Sequence, residues 1–118
     1  MENKFNISYA EKWLDKLRIY WLNKDVERVT SLFANTEYYQ ETPFMQPYTN
    51  YDDIVQEWQH IKEQNIKKVE FKILAIDNNV LIVEWTFEEN ESIYNGIYEV
   101  KFNDKLDCIY FKSWEMRK

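Results

Sequence analysis

The second half of this chain repeats one pattern: a long run of alternating apolar and polar residues, then a short polar break. The runs cover about residues 68–76, 80–88, 93–102 and 106–116. The breaks are Asp77-Asn78-Asn79, Glu89-Asn90-Glu91-Ser92 and Asn103-Asp104-Lys105. Side chains alternate across a strand, so each run reads as a β-strand with two faces. Breaks this short favour antiparallel neighbours, which predicts a meander. Strands usually run ~5–6 residues. These are longer, and long strands in a small domain twist and curl until one face is concave. Gly96 reads as a bend or bulge within the third run.

In the second run Leu81, Val83, Trp85 and Phe87 share one face, and Val80, Ile82, Glu84 and Thr86 share the other. Both faces are apolar enough to need cover. Helices cover the concave side, which leaves the convex side for a second copy of the chain. Strict alternation from Val69 sets Leu74 and Ile76 beside Val80 and Ile82 as the apolar patch for that contact. An isolated apolar surface is the other reading of the same residues.

The first half is helical. Ser8-Tyr9-Ala10-Glu11 reads as a capping box. After it Ala10, Trp13, Leu14, Leu17, Tyr20 and Trp21 recur at helical spacing to about Leu22. Asn23-Lys24-Asp25 breaks the helix, and Asp25 caps a shorter one carrying Val26, Val29, Leu32 and Phe33. Asn50 caps a third helix with Tyr51, Ile54, Val55, Trp58 and Ile61 on its apolar stripe. Asp52 and Asp53 suit its positive end.

Between the second and third helices lies Tyr38-Tyr39-Gln40-Glu41-Thr42-Pro43-Phe44. It sets a carboxylate among aromatics where a short strand must stop, because Pro43 cannot donate to a sheet ladder and keeps Thr42 extended. Helices followed by strands indicate an α+β domain over residues 1–118.

Composition narrows the functions available. Aromatic residues make up 18% of the chain, as 5 Trp, 9 Tyr and 7 Phe. Rings in such number fill a core, line a cavity, or do both. The net charge of −6 argues against nucleic acid and anionic membrane surfaces as partners. No apolar run is long enough to span a bilayer, and residues 1–5 show no export signal. With Cys108 as the one cysteine, a cytoplasmic protein is expected. One His and one Cys do not make a metal site. One glycine cannot build a phosphate loop or a nucleophile elbow, so no cofactor is implied.

Leu32-Phe33-Ala34, Tyr39-x-Glu41-Thr42-Pro43-Phe44, Glu84-Trp85, Gly96-Ile97-Tyr98 and Phe111-x-x-Trp114-Glu115 follow one another in an order that resembles the SnoaL-like branch of the nuclear transport factor 2-like superfamily. The resemblance runs from about Ala10 to Met116. It implies a conical, cystatin-like α+β fold, with three N-terminal helices packed in a strongly curved, mainly antiparallel sheet around a pocket. Polyketide cyclases, ketosteroid isomerases and dehydratases share that fold, and homodimers packed through the sheet are common among them. Fold does not settle function. With His60 alone, a paired-histidine dehydratase arrangement is not available.

The candidate catalytic residues are Glu41 and Tyr39, two apart on one strand face. Burial among rings would raise the Glu41 pKa and make it a general base, with a tyrosine such as Tyr39 as polariser. The other reading has Glu41 bonding to backbone or tyrosine hydroxyls to fix the loop. The expected ligand walls are Trp13, Phe44, Trp58, Trp85, Tyr98 and Trp114. Trp114 and Glu115 face opposite ways, and alternation alone leaves open which one enters the cavity. His60, about 200° around the helix from Trp58, is expected in solvent. Cys108 reads as a buried, inert thiol. The function expected is binding of a small apolar or aromatic molecule. Alternatives are a cofactor-independent isomerase, cyclase or dehydratase, and a dimeric protein-interaction module.

Overall fold

The first helix shows how the core forms. Ala10, Trp13, Leu14, Leu17 and Trp21 recur on one side of α1 (Ile7–Leu22), and all five are buried. The computed structural model describes residues 5–117; residues 1–4, most of the segment read above for an export signal, lie outside it. The cap of α1 is Asn6, whose Oδ1 accepts from the Tyr9 amide at 2.9 Å. Ser8, expected as the cap, sits within the first turn. The reason lies just upstream: Phe5 is buried and stacks on Phe102 at 4.5 Å, so the chain leaves the core there and turns helical at once.

Lys24 closes α1 with a left-handed φ of 56°. Asp25 then accepts from the Arg28 amide and opens α2 (Val26–Ser31). Asn50 does the same through the Asp53 amide for α3 (Tyr51–Trp58), which tightens into a 3-10 turn over Gln59–Glu63. Both caps stand where the sequence set them.

Five strands follow the order β1-β5-β4-β3-β2: β1 (Tyr38–Gln40), β2 (Ile66–Asp77), β3 (Val80–Glu89), β4 (Ser92–Phe102) and β5 (Cys108–Arg117). The last four form the expected antiparallel meander. β1 joins β5 in parallel, with Tyr39 opposite Phe111. The fold is α+β and conical, with the helices on the concave face of the sheet. Phe33 lies at the centre, fully buried, with its ring 5.2 Å from Tyr39, 5.0 Å from Phe111 and 5.9 Å from both Trp13 and Trp58.

Two expectations about the strands need correction. The β2–β3 register shifts between Ile73 and Ala75. Beyond the shift Ile76 stands opposite Leu81 and packs on the core, so it leaves the convex patch predicted for it. Leu74, at the shift, remains 48% exposed. Gly96 makes no bulge: it pairs in register with Trp85 on one side and Glu115 on the other. Its missing side chain has a different purpose. A Cβ there would lie 2.8 Å from the Trp85 ring and against the Trp114 carbonyl. The Trp85 indole therefore lies over bare backbone.

Candidate functional site

Concave positions of the meander, one edge strand and the end of α3 enclose a hollow of about 230 Å³. Alternation along β3, β4 and β5 sends Trp85, Phe87, Tyr98, Phe111, Ser113 and Glu115 toward it. The helical side contributes Trp21 from α1, Glu57 and Trp58 from α3, and His60, Ile61 and Gln64 from the turn that follows. Tyr39 and Glu41 close the end where β1 stops.

The walls are held by ring packing. Trp21 stacks on Phe87 at 4.8 Å and meets Trp58 edge-on at 5.3 Å. Trp85 stacks on Tyr98 at 5.4 Å. Two indole N–H groups have acceptors: Trp21 donates to Gln64 at 3.1 Å and Trp85 to Ser113 Oγ at 3.0 Å. The Trp58 N–H is buried with no partner among the described residues.

The loop carrying Glu41 is fastened from both sides. Gln40 Nε2 donates to the carbonyls of Pro43 and Met45, while the Tyr38 hydroxyl donates to Gln40 Oε1. Tyr39 and Tyr48 exchange backbone hydrogen bonds of 2.9 and 2.8 Å. These contacts point Glu41 inward, where the Tyr39 hydroxyl donates to its Oε2 at 2.6 Å. Glu57, which accepts from the Tyr48 hydroxyl at 2.7 Å, brings its carboxyl within hydrogen-bonding reach of Glu41. A chain of Tyr39, Glu41, Glu57 and Tyr48 thus joins β1 to α3.

Its electrostatics follow from enclosure. Burial pushes the Glu41 carboxyl up to about 8; the Tyr39 bond opposes that rise, and the nearby Glu57 charge adds to it. Tyr39 and Tyr98 are both raised well above the usual phenol, first by burial and then by Glu41. The bond to Glu57 pushes Tyr48 up to about 12. Burial also raises Glu115.

Of the residues singled out in the sequence, Tyr39, Glu41, Trp58, Trp85 and Tyr98 meet around the hollow. Trp13 lies deeper, packed edge-on against Phe33 and Phe102. Phe44 is fully exposed, because the bonds from Gln40 that fasten the loop leave it at the tip. Trp114 is on the convex side, 39% exposed beneath the Lys112 ammonium, and its neighbour Glu115 takes the cavity-facing place. His60 borders the cavity mouth while staying exposed: the chain leaves α-helical geometry at Gln59, which brings both Trp58 and His60 to the rim. Trp21, Glu57, Phe87, Gln64 and Ser113 were not read as site residues. Among the described residues no three His, Cys, Asp or Glu side chains are grouped to hold a metal ion.

No protein-family model and no curated protein sequence matches the chain. Solved structures do match. A steroid delta-isomerase from Pseudomonas aeruginosa superposes with a TM-score of 0.69 at 15% identity, covering 91% of this chain and 79% of the other. SalBIII, an epoxide hydrolase/cyclase-like enzyme of pyran ring formation in the polyether salinomycin, gives 0.79 at 8% identity and covers 92% of both chains. A putative SnoaL-like polyketide cyclase from Shewanella denitrificans gives 0.62 at 11%, covering 90% and 89%. The neighbours are therefore of the SnoaL-like, nuclear transport factor 2-like kind that the motif order implies. At these identities the likeness is one of fold.

Proposed function

We propose that the hollow binds a small, largely apolar molecule of about one or two rings. The observation that carries this reading is the wall itself: three indoles and three phenols surround about 230 Å³ of space left open in an otherwise ring-packed interior. A cavity of ~150 Å³ lined by apolar side chains accepts benzene, so the volume suits a ring with a short substituent. Thermal shift against a panel of single-ring compounds tests it. A ligand present at 100 times its Kd adds ~2.7 kcal/mol of stability. A panel without a single stabilising compound overturns the reading.

The Tyr39–Glu41 bond favours a second reading, proton transfer. A carboxyl poised near 8 can take a proton from a carbon next to a carbonyl and return it elsewhere, which is the chemistry of an isomerase or cyclase without a cofactor. Here the Tyr39 hydroxyl already donates its hydrogen bond to Glu41. Tyr39 is thus better suited to positioning the carboxylate than to polarising a substrate. Turnover lost in Glu41→Gln with the fold intact supports this reading; turnover kept in that variant sinks it. The convex face, where Trp114 and Met116 are exposed, is the proposed contact with a second copy of the chain. Light scattering of the purified protein tests that contact. No described helix is long and apolar enough to cross a membrane, and the cytoplasm is the proposed location.

A further inference from the structure

We infer that the molecule this hollow takes carries a positive charge: a small organic ammonium compound with one ring-sized apolar part. The inference rests on reading the hollow as a binding site and specifies the ligand's charge. Four glutamates, Glu41, Glu57, Glu89 and Glu115, border the cavity, and its described lining has no lysine or arginine. His60, at the exposed rim, is the one basic side chain there. None of the four glutamates forms an ion pair among the described residues. Elsewhere the chain does pair its surface acids, as Lys68 does with Glu70 and Glu88.

The walls fit the same charge. An aromatic ring presents a negative face, and indole is the best of the rings at holding a cation. Trp21, Trp58 and Trp85 all border the space that the carboxyls face. Apart from charge, Trp58 is 5% exposed and its N–H has no partner in the described chain, so the wall also keeps a hydrogen-bond donor open to an acceptor on the ligand. An anion would meet the repulsion of the ionised carboxylates. A neutral ring would leave the carboxyls to be neutralised by protons alone.

Protons are then the competitor. Glu41 and Glu57 lie close enough to share one, and a bound ammonium would displace it. The groups facing that pair are Tyr39 from β1, Tyr48 from the loop before α3, Tyr98 from β4 and Glu115 from β5, while Glu89 from the end of β3 and His60 from the turn after α3 border the same cavity. Glu41, raised to about 8, holds a proton that is exchanged between neutral and mildly basic pH. Cation uptake should therefore release protons and tighten as pH rises.

Titration calorimetry with benzyltrimethylammonium, benzyl alcohol and phenylacetate tests the inference. The first is permanently charged, so any pH dependence belongs to the protein. The expected result is roughly tenfold or tighter binding of the cation over the alcohol, with no binding of phenylacetate. Affinity for the cation should rise between about pH 6 and about pH 9, with heats that depend on the buffer's ionisation. Glu57→Gln and Glu115→Gln should each shrink the preference for the cation. If either variant fails to fold, the three-probe comparison on the unaltered protein still decides. Equal or tighter binding of benzyl alcohol overturns the charge inference and leaves the binding site standing. Failure of all three probes overturns both.

Discussion

Tyr39 donates its phenolic proton to Glu41 Oε2 across 2.6 Å, so the last inward-facing ring of β1 holds the first carboxyl beyond it. The bond favours the ionised carboxyl and opposes the burial that drives its pKa up. Tyr39→Phe removes that opposition. We expect the Glu41 pKa to climb beyond about 8 and the variant to lose ~1–3 kcal/mol, the range for a buried group deprived of its partner. The loss should be larger at alkaline pH, where the carboxylate must stand without a donor. Urea denaturation on either side of pH 8 would reveal it; equal losses at both would mean that the bond does not discriminate between the protonation states.

The raised pKa of Glu41 sets a sign for stability against pH. The folded chain holds this proton up to about 8, whereas the unfolded chain releases it near 4.5. Between those values the folded state binds more protons, so this group's contribution to stability is complete below about 4.5 and is lost as pH climbs through 8. Glu41→Gln keeps the shape and removes the proton. The difference in Tm between the two proteins should therefore change in favour of the variant from pH 5 to about pH 8 and level off beyond it. A flat difference would show that Glu41 titrates as it does in water.

Much of this arrangement was legible from local chemistry. Asp25 and Asn50 cap helices because each is a short polar residue just ahead of an apolar stripe. The faces of β3 follow from alternation alone, with Leu81, Val83, Trp85 and Phe87 all buried. What escaped depends on distant partners. Asn6 and Ser8 are both good caps, and only the docking of Phe5 onto Phe102 selects the first. Strict alternation misassigned Ile76, since a one-residue shift near Leu74 turns the strand over and a single strand carries no mark of it. Nothing in the sequence singles out Glu57 as a partner of Glu41, because a charged helical residue has no signature of what will face it. Its place in the site comes from Glu41, sixteen positions away and on another element. The choice between Trp114 and Glu115 turned on the phase of β5, which its pairing with β4 sets.

Trp58 and Trp85 line the same hollow and differ in one respect: the Trp85 N–H donates to Ser113, and the Trp58 N–H has no acceptor among the described residues. Replacing either with Phe loses part of a ring and leaves a void. At Trp85 the change also strips Ser113, itself buried, of its partner. At Trp58 it removes an unmet donor. Trp58→Phe should therefore cost about 1–2 kcal/mol less than Trp85→Phe. Paired denaturation curves check this; equal costs would mean that the Trp58 N–H is satisfied in solution.

Gly96 tests the architecture of the wall independently of any ligand. The residue lies in a regular ladder with no left-handed backbone, so its want of a side chain reflects space alone. A methyl group there would press on the Trp85 ring at 2.8 Å and on the Trp114 carbonyl, which belongs to the neighbouring strand and cannot swing away. Gly96→Ala should cost roughly 1–3 kcal/mol, as overpacking in a core does, and should change the near-ultraviolet signal of Trp85. Replacing Trp85 with Phe in the same chain removes the ring carbons in question and leaves the carbonyl in place. The double variant should then recover part of the loss, with a coupling of about 0.5 kcal/mol or more between the two sites. Strict additivity would show that the indole does not rest over Gly96, and the wall built on it would have to be redrawn.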